Sequence, residues 1–101
     1  MEAHYEQIAE EYKLFANPIR LKIMSFLKER GEASVGEIAE YIGVSRITLS
    51  QHLVRLRRLR VVKVRRDGLG AHYQLAHPEV MESRKIIWRF YQKAFQRPFR
   101  H

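Results

Sequence analysis

Seven basic side chains fall within residues 55–66 with no acid among them: Arg55, Arg57, Arg58, Arg60, Lys63, Arg65 and Arg66. Like charges so close repel one another unless an external anion neutralises them, so the run suits a polyanion with phosphates in succession. Just upstream, Ile47, Ser50, Gln51, Val54 and Arg58 recur at helical spacing, flanked by Arg46 and Arg55. Their groups match base edges: arginine to guanine, glutamine to adenine, an aliphatic side chain to the thymine methyl. Catalytic chemistry has no comparable set. No serine–histidine–acid arrangement, working pair of carboxylates or phosphate-cradling loop can be assembled with sound spacing. Gly68-Leu69-Gly70 lies between two β-rich runs rather than opening a helix, which makes it a turn. There is no cysteine, so disulfides, thiolate metal sites and thiol redox sensing are excluded.

These side chains need a scaffold, and the hydrophobic spacing supplies one. Tyr5, Ile8, Ala9, Tyr12 and Phe15 recur between glutamates, which predicts an amphipathic helix within residues 1–16. Asn17-Pro18 ends it and starts the next, with Asn17 as cap and Pro18 in the first turn. Ile19, Ile23, Met24 and Leu27 form the apolar stripe of that second helix, which stops at Gly31. Ser34-Val35-Gly36-Glu37 is a capping box opening a short third helix that closes at Gly43. Ser45 caps a fourth, running to about Leu59. Helix, tight glycine turn and longer helix over residues 34–59 form a helix-turn-helix pattern.

Within that fourth helix Leu49, Leu53 and Leu56 share a narrow arc with His52 and Leu59 at its edge, and Ile47, Ser50, Gln51, Val54 and Arg58 occupy the opposite arc, flanked by Arg46 and Arg55. Two β-rich runs, Val61 to Arg66 and Ala71 to Leu75, flank a four-residue connection at Asp67-Gly68-Leu69-Gly70, predicting a hairpin over 61–75. Pro78 is expected to open a long fifth helix over 78–97. The fold class is mainly α with a small β-hairpin: a winged helix-turn-helix of five helices plus wing, in a single domain over residues 1–101.

Charge is concentrated where this scaffold places the candidate site. Residues 46–75 hold eight lysines and arginines against one acid, Asp67, whereas residues 1–45 hold five against eight acids. At 101 residues a lone domain leaves much of its surface in water, so a partner subunit would help bury what it exposes. No apolar run approaches the ~20 residues that span a bilayer. The start, Met1-Glu2-Ala3-His4, is unlike a signal peptide, so the expectation is a cytoplasmic protein with no membrane partner.

In combination these pieces resemble the ArsR-type (ArsR/SmtB) winged-helix transcriptional repressors. The matching residues stand in family order over about residues 9–76. They are Asn17-Pro18-Ile19-Arg20-Leu21, Ser34-Val35-Gly36-Glu37-Ile38-Ala39 and Val44-Ser45-Arg46. Then come Leu49-Ser50-Gln51-His52-Leu53, Arg66-Asp67-Gly68 and Tyr73-Gln74-Leu75. The resemblance implies a homodimer paired through its first and last helices, bound to double-stranded DNA as a repressor. Base reading falls on Arg46, Ile47, Ser50 and Gln51, with His52 in the motif but mainly structural. Ile47 replaces a small polar residue usual there. Backbone or minor-groove contacts are expected from Ser34, Ser45, Thr48, Arg55, Arg58, Lys63, Arg65 and Arg66.

The dimer interface is expected at Tyr5, Ile8, Tyr12, Ile87, Trp88, Tyr91 and Phe95. Aromatics at helical spacing there are favoured as dimer core over a pocket for an aromatic ligand. The family's cysteine pair falls on Ser34 and Gly36. Its zinc site on the last helix meets Glu79 and Glu82, then Trp88, Arg89 and Tyr91. Neither metal site is present, and no cofactor is expected; His4, His72, His77 and His101 lack metal spacing. An unidentified small molecule or protein remains as the class of effector. Two rival readings are a protein–protein adaptor and an RNA-binding module.

Overall fold

In a computed structural model, residues 5–82 are described, together with 89, 92 and 93. Four α-helices precede a two-stranded antiparallel hairpin: α1 (Tyr5–Tyr12), α2 (Pro18–Arg30), α3 (Val35–Ile42) and α4 (Arg46–Arg58), then β1 (Val62–Asp67) and β2 (Gly70–Leu75). The starts of α2, α3 and α4 are each set by the residue before the helix. Asn17 Oδ1 accepts from the Ile19 and Arg20 amides, and Ser45 Oγ accepts from the Thr48 amide at 3.0 Å. Ser34 and Glu37 form the reciprocal capping box, satisfying two amides that the first turn of α3 would otherwise leave unpaired. Gly43, at φ 84°, takes the left-handed conformation that turns α3 into α4 within three residues.

The core lies where α2, α3 and α4 meet the base of the hairpin. Ile23, Met24 and Leu27 from α2, Ile38 from α3, and Leu49, Leu53 and Leu56 from α4 are buried. Val62 pairs with Leu75 and Val64 with Tyr73, so the apolar face of the hairpin is continuous across both strands. It is buried at its base, Val62 and Leu75, and only half-buried at Val64, Ala71 and Tyr73. The segment before α3 joins the sheet at one point: Ala33 and Tyr73 exchange both backbone hydrogen bonds, at 3.0 and 2.8 Å.

Three expectations are corrected. Among the described residues there are four α-helices rather than five, because Pro78 opens a 3₁₀ turn, Pro78–Met81, and most of 83–97 lies outside the described residues. The first helix does not run unbroken to residue 16. Its last turn tightens to 3₁₀ over Lys13–Ala16, since Pro18 forces Asn17 into extended geometry at φ −135°. The hairpin connection is two residues long, Gly68-Leu69, because Asp67 and Gly70 already pair. Asp67 Oδ1 accepts from the Leu69 amide at 2.8 Å, an Asx turn that closes the tip locally.

Candidate DNA interface

Burial divides α4 cleanly. Leu49, Leu53 and Leu56 anchor it, while Arg46, Ile47, Ser50, Gln51 and Val54 line a shallow open groove on its outer face. Ile47 is 75% exposed, a high value for an aliphatic side chain on a well-anchored helix. Its exposure follows from register: one helical face is already filled by leucines, and positions 47, 50, 51 and 54 must point outward. The structure therefore brings the four expected base-reading residues onto one solvent-facing stripe.

Arg46 does not extend freely from this stripe. Its guanidinium lies back over the first turn of α3 against Gly36, where a Cβ would stand 2.6 Å from Arg46 Nη2. The space that an absent side chain leaves on α3 thus admits the first basic group of α4. This contact was not foreseen, although a glycine one residue inside a capping box is a visible signal. Ser45 and Thr48 sit at the start of α4, with the Ser45 hydroxyl donating to Thr48 Oγ1 at 3.1 Å. Ser34 is committed to capping α3.

The basic run divides in two. Among the described residues Arg57, Arg58, Arg60, Lys63 and Arg66 are exposed and have no carboxylate partner, and Arg55 feels the charge of Glu10 on α1. Arg65 is different. Its Nε and Nη2 each stand 3.0 Å from a Glu32 carboxylate oxygen, and its Nη1 lies 2.8 Å from Asp67 Oδ2. Two carboxylates therefore hold Arg65, one of the residues expected to contact the DNA backbone or minor groove. Asp67 in turn lies 3.1 Å from His72 Nε2. The Leu69 amide, then Arg65 and His72, hold its carboxyl down at about 2. The sequence signal, an acid inside a basic hairpin, was present; the other partner of Arg65, Glu32, lies 33 residues away from it.

His52 is half-buried at the edge of the leucine arc. Burial, and then the positive charge of Arg20, push its pKa below the ordinary histidine value, so the ring favours its neutral form. Tyr5 and Tyr12 are exposed, 78% and 70%, one heptad apart on α1. The Ile8 side chain and Ile87, Trp88, Tyr91 and Phe95 lie outside the described residues, as do Phe90 and Phe99. Among the described residues no three histidines, aspartates or glutamates cluster as a metal site would require, and no helix is long and apolar enough to cross a membrane.

Two helices joined by a tight turn, the second with an exposed polar face, and a basic two-stranded wing beside it define the winged helix-turn-helix class. Comparison with known proteins agrees. Residues 17–64 match the model of the bacterial regulatory protein, arsR family. The chain is 40% identical over 90 residues to Rv0081 of Mycobacterium tuberculosis, an uncharacterized HTH-type transcriptional regulator, covering 84% of this chain and 78% of the relative. It belongs to the ArsR family.

The crystal structure of that relative superposes with a TM-score of 0.80 at 38% identity, over 92% of this chain and 97% of the other. The solution structure of the homodimeric winged helix-turn-helix DNA-binding domain of Mb0332 from Mycobacterium bovis gives 0.75 at 28% identity, over 95% and 88%. PagR of Bacillus anthracis, a transcriptional repressor, is 36% identical over 82 residues, 81% of this chain and 82% of the relative. The chain is a DNA-binding transcriptional regulator and not an enzyme.

Proposed function

We propose that the protein represses transcription as a homodimer bound to an inverted-repeat operator. The observation that carries this reading is the outer face of α4: Arg46, Ile47, Ser50 and Gln51 side by side in solvent on a helix pinned by three buried leucines. Such a helix fits the major groove, and two of them in a dimer enter grooves about one helical turn apart. Arg46, Ser50 and Gln51 read base edges, and Ile47 meets a thymine methyl. Ser45, Thr48, Arg55, Arg58, Lys63 and Arg66 hold the backbone or the neighbouring minor groove, with Ser34 at the start of α3 as a further backbone contact.

Repression is supported by PagR, and the homodimer by Mb0332 and by Tyr5 and Tyr12, which leave two aromatic rings on one face of α1 in water. The pairing surface is α1 with the C-terminal residues 78–97. The dimer works in the cytoplasm, where its operator is. With no cysteine in the chain, the signal is neither a thiolate-bound metal nor thiol oxidation; another ligand, a partner protein and the protein's own concentration stay open.

Selecting bound sequences from a random duplex pool, then titrating the winner at several salt concentrations, tests the reading. The expected result is a palindromic motif with a steep salt slope. Binding without an enriched motif, or stronger binding to duplex RNA, would favour an architectural or RNA role. Absence of binding at low salt would favour the adaptor.

A further inference from the structure

The wing's basic strand contains one arginine whose charge is already spent inside the protein. Arg65 faces Glu32 through two parallel N–H···O contacts, both 3.0 Å, and reaches Asp67 at 2.8 Å. All three guanidinium nitrogens are engaged, and the fork geometry is the one that arginine offers a carboxylate and lysine does not. Glu32 immediately precedes Ala33, whose backbone pairs with Tyr73 on β2. Two independent links, one backbone and one ionic, therefore run from the segment before α3 to opposite strands of the hairpin. Asp67 continues the chain of contacts to the tip, through the Leu69 amide and His72.

From this arrangement we propose that Arg65 is a positioning residue for DNA binding, a latch that fixes the wing against the helix-turn-helix. It also masks the two acids nearest the wing, instead of contacting phosphate itself. The inference rests on the DNA-binding reading of the site. It separates Arg65 from Lys63 and Arg66 on the same strand, which have no carboxylate partner among the described residues.

A latch and a phosphate contact make opposite predictions at Glu32. Glu32→Gln removes one unit of negative charge close to the DNA, so electrostatics alone would tighten binding and leave the salt slope unchanged or steeper. If Glu32 holds the latch, the same change weakens operator binding by about two- to fivefold, the range of a partly exposed ion pair. The salt slope then stays as it was. Arg65→Lys keeps the charge and loses the fork, so it weakens binding similarly, and the double exchange Glu32→Arg with Arg65→Glu recovers part of the loss.

Amide hydrogen exchange on the free protein reads the latch without DNA. Tyr73 and the other hairpin amides should exchange faster in Glu32→Gln than in the wild type. Unchanged exchange there overturns the latch whether or not the protein binds an operator. Faster exchange in a protein that binds no duplex keeps the latch's structural half and overturns its link to DNA. Tighter binding by Glu32→Gln, or a salt slope shallower by about 0.9 for each Arg65 removed, makes Arg65 a phosphate contact and overturns the proposal.

Discussion

Gly36 acts through the space it leaves. Any Cβ there stands 2.6 Å from the Arg46 guanidinium, yet the obstructing atoms are the far end of a flexible side chain. Gly36→Ala should therefore raise stability, by up to about 1 kcal/mol from helix propensity, because the cost of moving Arg46 is small. The same substitution should push Arg46 off α3 and change its base preference, so a thermal melt and a repeat of the sequence selection would both move. Unaltered preference would show that Arg46 leaves Gly36 on binding DNA anyway. Gln51 and Arg66 should separate in a different way. Gln51→Ala should cost roughly 1–3 kcal/mol of discrimination at one base position in each half-site. Arg66→Ala should weaken all sequences alike and flatten the salt slope by about 0.9 per contact, about twice that per dimer. Affinities on the operator and on scrambled duplex at three salt concentrations distinguish the two.

Acid should act on the wing before it acts on the core. Asp67 is held at about 2 against an ordinary 3.8, and Glu32 is also lowered, chiefly by its hydrogen bond from Arg65. A carboxyl whose folded pKa is depressed stabilises the fold above its ordinary value and loses that contribution as pH falls toward the folded one. Hairpin amides should therefore exchange progressively faster, relative to the α2–α4 core, as pH drops from about 4.5 to 2 once intrinsic rates are corrected. Uniform loosening of core and hairpin would contradict this order.

At the level of elements, α4 ends in a way its sequence does not advertise. Arg60 is left-handed at φ 63°. The Val61 amide returns to the Leu56 carbonyl and the Arg60 amide to that of Arg57, both at 2.9 Å, with Val61 and Leu56 buried together. This is a Schellman motif, whose left-handed position is usually glycine. An arginine there bears roughly 1–2 kcal/mol of backbone strain, so Arg60→Gly should raise the melting temperature by several degrees. A lower melting temperature would mean that the Arg60 side chain supports the fold through packing. The contrast with α2, α3 and the start of α4 shows which parts of the chain were legible. Asn17, Ser34 with Glu37, Gly43 and Ser45 act on amides or carbonyls a few residues away, so their effect is written locally and their helices begin and end as expected. The Arg60 turn has no glycine to mark it. The Glu32–Arg65 bridge joins residues that only the assembled hairpin brings together, and a charge run cannot tell a solvated arginine from one already paired. The outer face of α4 was legible because leucines at 49, 53 and 56 fix which side faces inward, leaving Ile47 and Gln51 no other direction.

In the proposed dimer, one recognition helix per chain suffices because two copies act together. A single α4 spans only a few base pairs, and specificity for a rare site requires a second copy at a fixed distance. The exposed Tyr5 and Tyr12 on α1 are the part of the proposed interface that lies within the described residues. Replacing both by glutamate would bury charge without a partner and should prevent pairing, which sedimentation would report as a monomer. The monomer retains its own α4 and wing, so it should still bind DNA, with about half the salt slope and without preference for a two-part site. The operator offers the complementary test. Five base pairs inserted between half-sites turn the second one to the opposite side of the duplex, where the paired recognition helix cannot follow. Affinity of the intact dimer should then fall to that of a single half-site. Ten inserted base pairs restore the facing but stretch the spacing by a full turn, which a dimer with fixed helix separation would not span. Equal binding to all three duplexes would mean that the two copies bind independently, and pairing through α1 would then have no part in reading the operator.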